Sequence, residues 1–488
     1  MGKTLNSMKW VVSLCLMFLV SGAYAQQSMS FEEALERAMD NNRGISSARY
    51  GVDAALSEYH AARGLRAPQV GLIGSYTLMQ RDMDIDLGGA KGVVTESLED
   101  LINKGVEGGL ISPTIAALLG DGLVLIKDAD WSYTLQRRNF GFVGSTVTMP
   151  IYLGGRINSA NRVAEFEVES ANNMLSGVQN VLITELVERY YGVILAREVV
   201  NVRGFVVEGV KQHLSDALAM ESEGVLPHSA ILYLEYKLSE VERDYVDAVN
   251  RLHVAKQALR TTLQTEGDIA PQDRMFVLSN ISDIDYFKEC ALQLNPIIAE
   301  ANLAEGLSRE GVVMAKSELL PEVVAMGGVS LYSHNLSKII PRWAVGVGVN
   351  IPLFGGLSRQ HNYKAAESKA RSVADIVDKS KEDILLLVDR EYYSLQNCAL
   401  SIRSCERSVS FAESYYQTAL EGFREGVSSS SDLMDAHIAL AGARVEYLNA
   451  VYGYMLYLAR LLEVSGLSEE FTCYKSSAEI VDINSVIL

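Results

Sequence analysis

Asp432 and Asp435 stand one helical turn apart, just after the turn Glu425-Gly426-Val427-Ser428. Two carboxylates at that spacing share a helix face, and a threefold axis would crowd three such pairs together. Crowded like charges raise some of their own pKa values and attract cations. Acids in a first turn also cap a helix and complement its dipole, so a structural role competes with a functional one. Catalytic chemistry finds no comparable foothold. The seven histidines are scattered, with no HExxH and no close His/carboxylate cluster. There is no GxSxG, no P-loop and no GxGxxG after a strand; Gly346 and Gly348 lie inside a strand pattern. No enzyme, cofactor or metal centre is therefore expected, and with no nucleotide site any driving energy must come from a partner. Beyond Cys15, the cysteines are Cys290, Cys398, Cys405 and Cys473, with no CxxC. Cys398 and Cys405 lie seven apart on one expected helix, roughly 10 Å, too far for a disulfide. They read as small core residues.

The elements that position the acids repeat. Ala67-Pro68-Gln69-Val70 recurs as Leu320-Pro321-Glu322-Val323, and Asn42 matches Asn295, all at an offset of 253. Pro150-Ile151-Tyr152-Leu153-Gly154 matches Pro352-Leu353-Phe354-Gly355-Gly356 at 202, as do Gly224-Val225 with Gly426-Val427 and Tyr245 with Tyr447. The offset falls by 51 between Pro68 and Pro150, so the first copy carries an insertion of that length there. At the positions of the two acids the first copy has Ala230 and Tyr233, so only one hairpin bears the charge.

The first copy spans 26–265: a helix over 31–66 opened by the capping box Ser30/Glu33, strands over 69–79 and 139–151 flanking the insertion 80–131, a long helix over 155–223 and a return helix over 228–265. A connecting segment, 266–282, leads to the second copy at 283–467. There the elements are a helix over 283–318, strands over 322–333 and 343–351, a long helix over 357–425 and a return helix over 430–467; a polar tail, 468–488, follows. Pro68, Pro150, Gly154, Pro321, Pro352 and Gly356 mark the strand–helix junctions. Trp343, Val345, Val347, Val349 and Ile351 alternate with Ala344, Gly346, Gly348 and Asn350, which gives a strand one apolar and one small or polar face. In the long helices Val388, Leu395, Ile402, Val409, Tyr416 and Phe423, and Leu186, Val193, Val200, Val207 and Leu214, recur every seven residues, the mark of a supercoiled seam. Each long helix is roughly 100 Å at 1.5 Å per residue. The insertion, interrupted at Ser112-Pro113 and Gly120-Asp121-Gly122, is expected as an extracellular loop. Trp131, Tyr133, Phe140 and Trp343 are candidates for an interfacial aromatic girdle.

Residues 1–25 read as an export signal: Lys3 and Lys9, an apolar run from Trp10 to Val20, and Ala23-Tyr24-Ala25 before a start at Gln26. Losing the two lysines takes the formal charge from −18 to −20, which excludes a broad nucleic-acid surface. Nine prolines in 488 residues leave room for long helices. No later segment has the ~18 consecutive apolar residues of a membrane helix. Strands of this length suit a tilted membrane crossing, yet four cannot close a barrel, for which about eight is the minimum. An open sheet edge in lipid is prohibitive. Three chains giving twelve strands is the simplest closure. The fold class is thus an α+β membrane protein with a shared β-barrel and long antiparallel coiled-coil helices around a hollow. A secreted coiled-coil structural protein without a pore is the alternative, but it gives the strands no reason to alternate.

The chain resembles the outer membrane efflux proteins, the TolC-like channel-tunnels of Gram-negative bacteria, over about residues 29–467. The resemblance rests on Ser30-Phe31-Glu32-Glu33-Ala34-Leu35, the Pro68 and Pro321 strand starts, the Pro-x-aromatic segments, the two Gly-Val turns and Asp432-Leu433-Met434-Asp435-Ala436. It implies a homotrimer in outer-membrane lipid with a helical periplasmic tunnel. It also implies a periplasmic adaptor and an inner-membrane pump of the RND, ABC or MFS type as partners. It makes Asp432 and Asp435 a periplasmic gate, and Gly224, Val225, Leu226, Gly426 and Val427 adaptor-docking tips. The run Ser428 to Ser431 holds no basic residue to latch the acids. The cargo is left open between small molecules, proteins and metal ions.

Overall fold

The computed structural model describes residues 27–477 and 479–480; the export signal and 481–488 lie outside the described residues. In chain order the elements are β1 (Gln27–Met29), α1 (Phe31–Asn41), α2 (Arg43–Gly64), β2 (Gln69–Leu78), β3 (Met83–Asp86), α3 (Gly88–Glu107), α4 (Pro113–Asp128), β4 (Ser132–Gln136), β5 (Asn139–Leu153), α5 (Arg156–Ser222), α6 (His228–Leu263), β6 (Ile269–Pro271) and β7 (Phe276–Val277). There follow α7 (Ile284–Leu294), α8 (Pro296–Ser317), β8 (Glu322–His334), β9 (Trp343–Asn350), α9 (Ser358–Arg424), α10 (Ser430–Val464), a 3-10 turn (Ser468–Glu470), α11 (Phe471–Ser477) and β10 (Glu479–Ile480). They fall into two compact units, one of residues 60–161 and 311–366, the other of 27–59, 162–310 and the chain from 367 on.

The first unit is built on a four-stranded antiparallel sheet in the order β2-β5-β8-β9. Its register sorts the side chains. Val70, Leu72, Tyr76 and Leu78 of β2 share a face with Val147 and Met149 of β5 and with Trp343, Val345, Val347 and Val349 of β9. The other face carries Gly71, Ser75, Thr77, Thr146, Thr148, Ser330, Gly346 and Asn350, with Ile73, Phe140, Phe142, Val324 and Met326 as apolar exceptions. The apolar face is bare: Val345 is 76% exposed and Leu72 73%. Among the described residues no strand pairs with the outer side of β2 or of β9.

Two expectations change in this unit. Pro150 does not end its strand. β5 runs on to Leu153, and Pro150 sits at a register break, where a residue without an N–H is tolerated. The turn falls at Gly154 (φ +63°), where a Cβ would come within 2.7 Å of the Ser317 carbonyl oxygen. The insertion is not a plain loop. β3 and β4 pair antiparallel and carry a helical hairpin, α3 and α4. Ser112-Pro113, read as an interruption, starts α4: Ser112 Oγ accepts from the Ile115 amide (3.4 Å), and proline fits the first helical turn.

The second unit is helical. Each helix expected to be continuous over 31–66 and 283–318 is broken, at Asn42 and Asn295, both with extended backbone. Each asparagine ends one helix and caps the next. Asn42 Oδ1 accepts from Gly44 N (2.7 Å), and Asn295 Oδ1 from Ile297 N (2.8 Å). In α9 the seam residues Val388, Leu395, Ile402, Val409, Tyr416 and Phe423 are all buried, with Cys405, Ala412 and Ala419. In α5 the sevenfold pattern does not hold to the end. Val200 and Leu214 are half-buried, and the stripe moves to Val202, Val206, Val210, His213 and Ala217. A straight helix drifts ~20° per heptad, which walks the buried stripe around it.

The segment after 467 is not simply a polar tail. Phe471 is buried against Phe31, ring centroids 5.2 Å apart, beside Tyr191 and Phe276. Lys475 Nζ pairs with Asp273 (2.8 Å) and Glu32 (2.9 Å). Asp273 also accepts from the Phe31 amide (2.7 Å) and the Tyr190 hydroxyl (2.8 Å). Phe471→Ala should therefore destabilise the helical unit by about 3–5 kcal/mol, the usual loss for a buried Phe, read as a lower unfolding midpoint by circular dichroism. An unshifted midpoint would mean the segment is not docked.

Candidate functional site: the helix tips

The long helices end at their hairpin turns in the same way. Gly224 (φ +78°) donates to Glu221 O (2.8 Å), and Val225 N donates back to Met220 O (2.9 Å). Gly426 (φ +77°) donates to Phe423 O (3.0 Å), and Val427 N to Gly422 O (2.8 Å). This paired five-to-two and six-to-one bonding is the Schellman termination, which requires a left-handed residue. Glycine at each tip is thus accounted for by capping. What capping leaves unexplained is the valine after it: Val225 is 63% exposed and Val427 81%. Leu226 differs, being half-buried and packed against the core.

The acids sit at the start of α10. Ser429 is its N-cap, and Asp432 closes a capping box. Ser429 Oγ accepts from Asp432 N (3.1 Å), while Asp432 Oδ2 accepts from Ser429 N (3.1 Å) and from Ser429 Oγ (2.6 Å). The Ser429 side chain and then its amide hold the Asp432 carboxyl below the usual aspartate range. Asp435, one turn on, is exposed. Burial, then the Asp435 charge, raises the Tyr233 hydroxyl on α6. The residue at the matching place in the other hairpin thus lies within electrostatic reach of the acid. Lys237 stands 5.9 Å from the Tyr233 ring centroid and pairs with Glu240 (2.9 Å).

A polar cluster behind the α10 start was not foreseen. His437 and Arg444 of α10 and His213 of α5 are all buried, and both ring nitrogens of each histidine lack a hydrogen-bond partner. The imidazole centroids are 5.6 Å apart, and Tyr416 of α9 lies 4.7 Å from His437. The available signal was positional: His437 and Arg444 interrupt the apolar stripe Leu433, Leu440, Leu448, Val451. The junction residues lie elsewhere, in the sheet unit: Pro68 and Pro321 directly precede β2 and β8, Pro352 follows β9, and Gly356 (φ +65°) leads into α9. Among the described residues no group of three His, Cys, Asp or Glu side chains could hold a metal ion. Cys398 and Cys405 are free thiols in the helical seam, pushed up by burial.

With this geometry in hand, residues 289–467 match the family model described as outer membrane efflux protein. TolC of Vibrio cholerae is 23% identical over 335 residues, 66% of this chain and 74% of that protein. TolC of Escherichia coli is 21% identical over 297 residues, 57% of this chain and 60% of that protein. Among solved structures, the CmeC outer membrane channel of Campylobacter jejuni superposes with a TM-score of 0.70 at 14% identity, covering 93% of this chain and 90% of CmeC. The fold is that of the outer membrane efflux channels. The chain is TolC-like, and its residues 289–467 match the family of outer membrane efflux proteins, as its relatives are named.

Ser429→Ala removes the cap and should loosen the first turn of α10 by roughly 1 kcal/mol, seen as faster amide exchange over 430–433. Because the folded pKa of Asp432 is lowered, its contribution is whole above the ordinary aspartate value of about 3.9. It is lost only as pH falls through the lower folded value. The cap itself should therefore not titrate between neutral pH and about 5: with His213→Gln and His437→Gln in place, exchange over 430–433, corrected for intrinsic rate, should stay flat across that range.

Proposed function

We propose that the chain forms a homotrimer whose pooled twelve strands close one barrel in the outer membrane, and whose helices enclose a water-filled periplasmic tunnel. The trimer is the passive exit duct of a tripartite efflux or type I secretion system. It receives cargo from a periplasmic adaptor and an inner-membrane pump. One observation carries this reading: a sheet with one bare apolar face, one small or polar face, and two unpaired edges. Water disfavours such a face, lipid forbids such edges, and both objections vanish in a closed barrel. All strand pairs of the four-stranded sheet run antiparallel, so β9 and the next chain's β2 would meet antiparallel as well.

The twofold repeat is supported by matched lengths. α5 and α9 have 67 residues each, α1 and α7 have 11, and α2 and α8 have 22. Two copies in three chains give a ring of paired hairpins in which acids occur at every second start. Asp432 and Asp435 form a cation-attracting gate there, and Gly224-Val225-Leu226 and Gly426-Val427 receive the adaptor. Exposure of the two valines supports docking, with Leu226 anchoring its turn from behind.

Reconstituted in planar bilayers, the chain should conduct. Asp432→Asn with Asp435→Asn should lower its preference for cations over anions several-fold; unchanged selectivity would remove these acids from the gate. Val427→Asp should weaken adaptor binding at least tenfold in a pull-down while the particle size stays the same. Binding at wild-type strength would exclude this tip as the docking site.

A further inference from the structure

The helical unit spends its least favourable burial on one spot. His213 of α5 and His437 of α10 are 3% and 0% exposed, and their rings face each other edge to face. A neutral imidazole has one N–H to place and one lone pair to satisfy, and here all four ring nitrogens go without a partner. Arg444 is 2% exposed, its Nε and Nη1 are unpartnered, and its guanidinium lies 5.4 Å from the Phe205 ring centroid. Its nearest acid is Glu413, at 3.5 Å from Nη2. The space is filled: a Cβ on Gly209 would come within 2.2 Å of His437 Cε1. His437 is seated in a notch that only glycine leaves open.

The surrounding charges do not favour a second proton. α5 offers Asp216, which partly favours the His213 cation; α9 offers Glu413, Tyr416 and Arg424; α10 offers Arg444. On α6 the nearby titratable group is Tyr233, turned to Asp435. Burial, then His213 and Arg444, depress His437 to about 4, and burial depresses His213.

We propose that the His213–His437 pair is a proton-operated lock on the α9–α10 tip. Neutral, it wedges α10 against α5; protonated, it cannot stay dry, and the first turns of α10 part from α5. Those turns carry Asp432 and Asp435, so acid releases the gate. What the lock controls rests on the duct reading above; the lock itself does not. A parted, hydrated conformer restores the ordinary histidine pKa of about 6.5. The packed form is thus fully favoured above that value. For each proton the pair takes up on parting, this advantage falls by up to about tenfold per pH unit below it, until pH reaches the depressed value; uptake of one is expected. This window lies above the range in which Asp432 loses its charge.

The test is amide hydrogen exchange of the full chain in detergent, corrected for the intrinsic rate, over 207–216 and 432–441. Between pH 7.5 and 5.5 wild-type protection should drop about tenfold. His213→Gln with His437→Gln should abolish that drop. Gly209→Ala, which fills the notch and leaves both histidines in place, should show the low protection already at pH 7.5 and keeps the test available if the double variant does not assemble. Flat wild-type protection, a full drop in the double variant, or wild-type behaviour in Gly209→Ala would each overturn the lock. A chain that exchanges as expected yet never conducts leaves the lock standing and sinks the duct.

Discussion

A backbone amide in hydrocarbon has no water to turn to, and every unpaired one costs several kcal/mol. β2 and β9 each leave an outer edge free while the sheet between them shows lipid-like side chains on one face. Both conditions are tolerable only if the edges meet other strands, and the described residues hold no further long strand to meet them. In the proposed trimer, assembly is therefore part of the fold. The sheet's small and polar face follows from the same requirement, because a closed barrel has an inside that must accept water or cargo.

The helical unit solves a different problem. Helices of 67 residues satisfy their own backbones and need only a seam to pack. The seam along α9 is apolar but for Glu391, and it is interrupted again where α5, α9 and α10 meet near the tips. There the two halves of the chain stop being alike: one hairpin starts with Ser429 and its capping acid, the other with Pro227 and no side-chain cap. The acids and two of the three buried polar side chains, His437 and Arg444, lie in the Ser429 hairpin, while His213 is on α5 of the other. Two unpaired imidazoles and a half-paired guanidinium add nothing to the stability of a seam, and it is here that the proposed lock makes packing conditional.

Much of this was readable from residue types. Alternation in 343–350 and the seven-residue spacing in α9 are long-range regularities that a single sequence states repeatedly, and the long-helix ends followed from glycine chemistry. What escaped the sequence was decided by single residues or by distant partners. Asn42 and Asn295 were noticed as a matched pair, yet not as helix breaks, because asparagine is tolerated inside a helix and only its side-chain bond to the next turn reveals the cap. Pro150 marks a junction by residue type, while the bulge at which it sits has no signature of its own, and β5 runs two residues beyond the expected strand end at 151. The docked Phe471 depends on Phe31, and the His213–His437 contact joins residues 224 positions apart. Neither pairing leaves a local pattern. The acids of the candidate site were legible by type and position; the cluster behind them was not.

The central claim is that the sheet is completed by copies of the same chain. Native mass spectrometry of the protein released from detergent micelles measures this directly. The account predicts a particle of three chains, about 160 kDa for a chain of 53.5 kDa before any processing, with no folded single chain in water. A folded, detergent-free particle of one chain mass would contradict it.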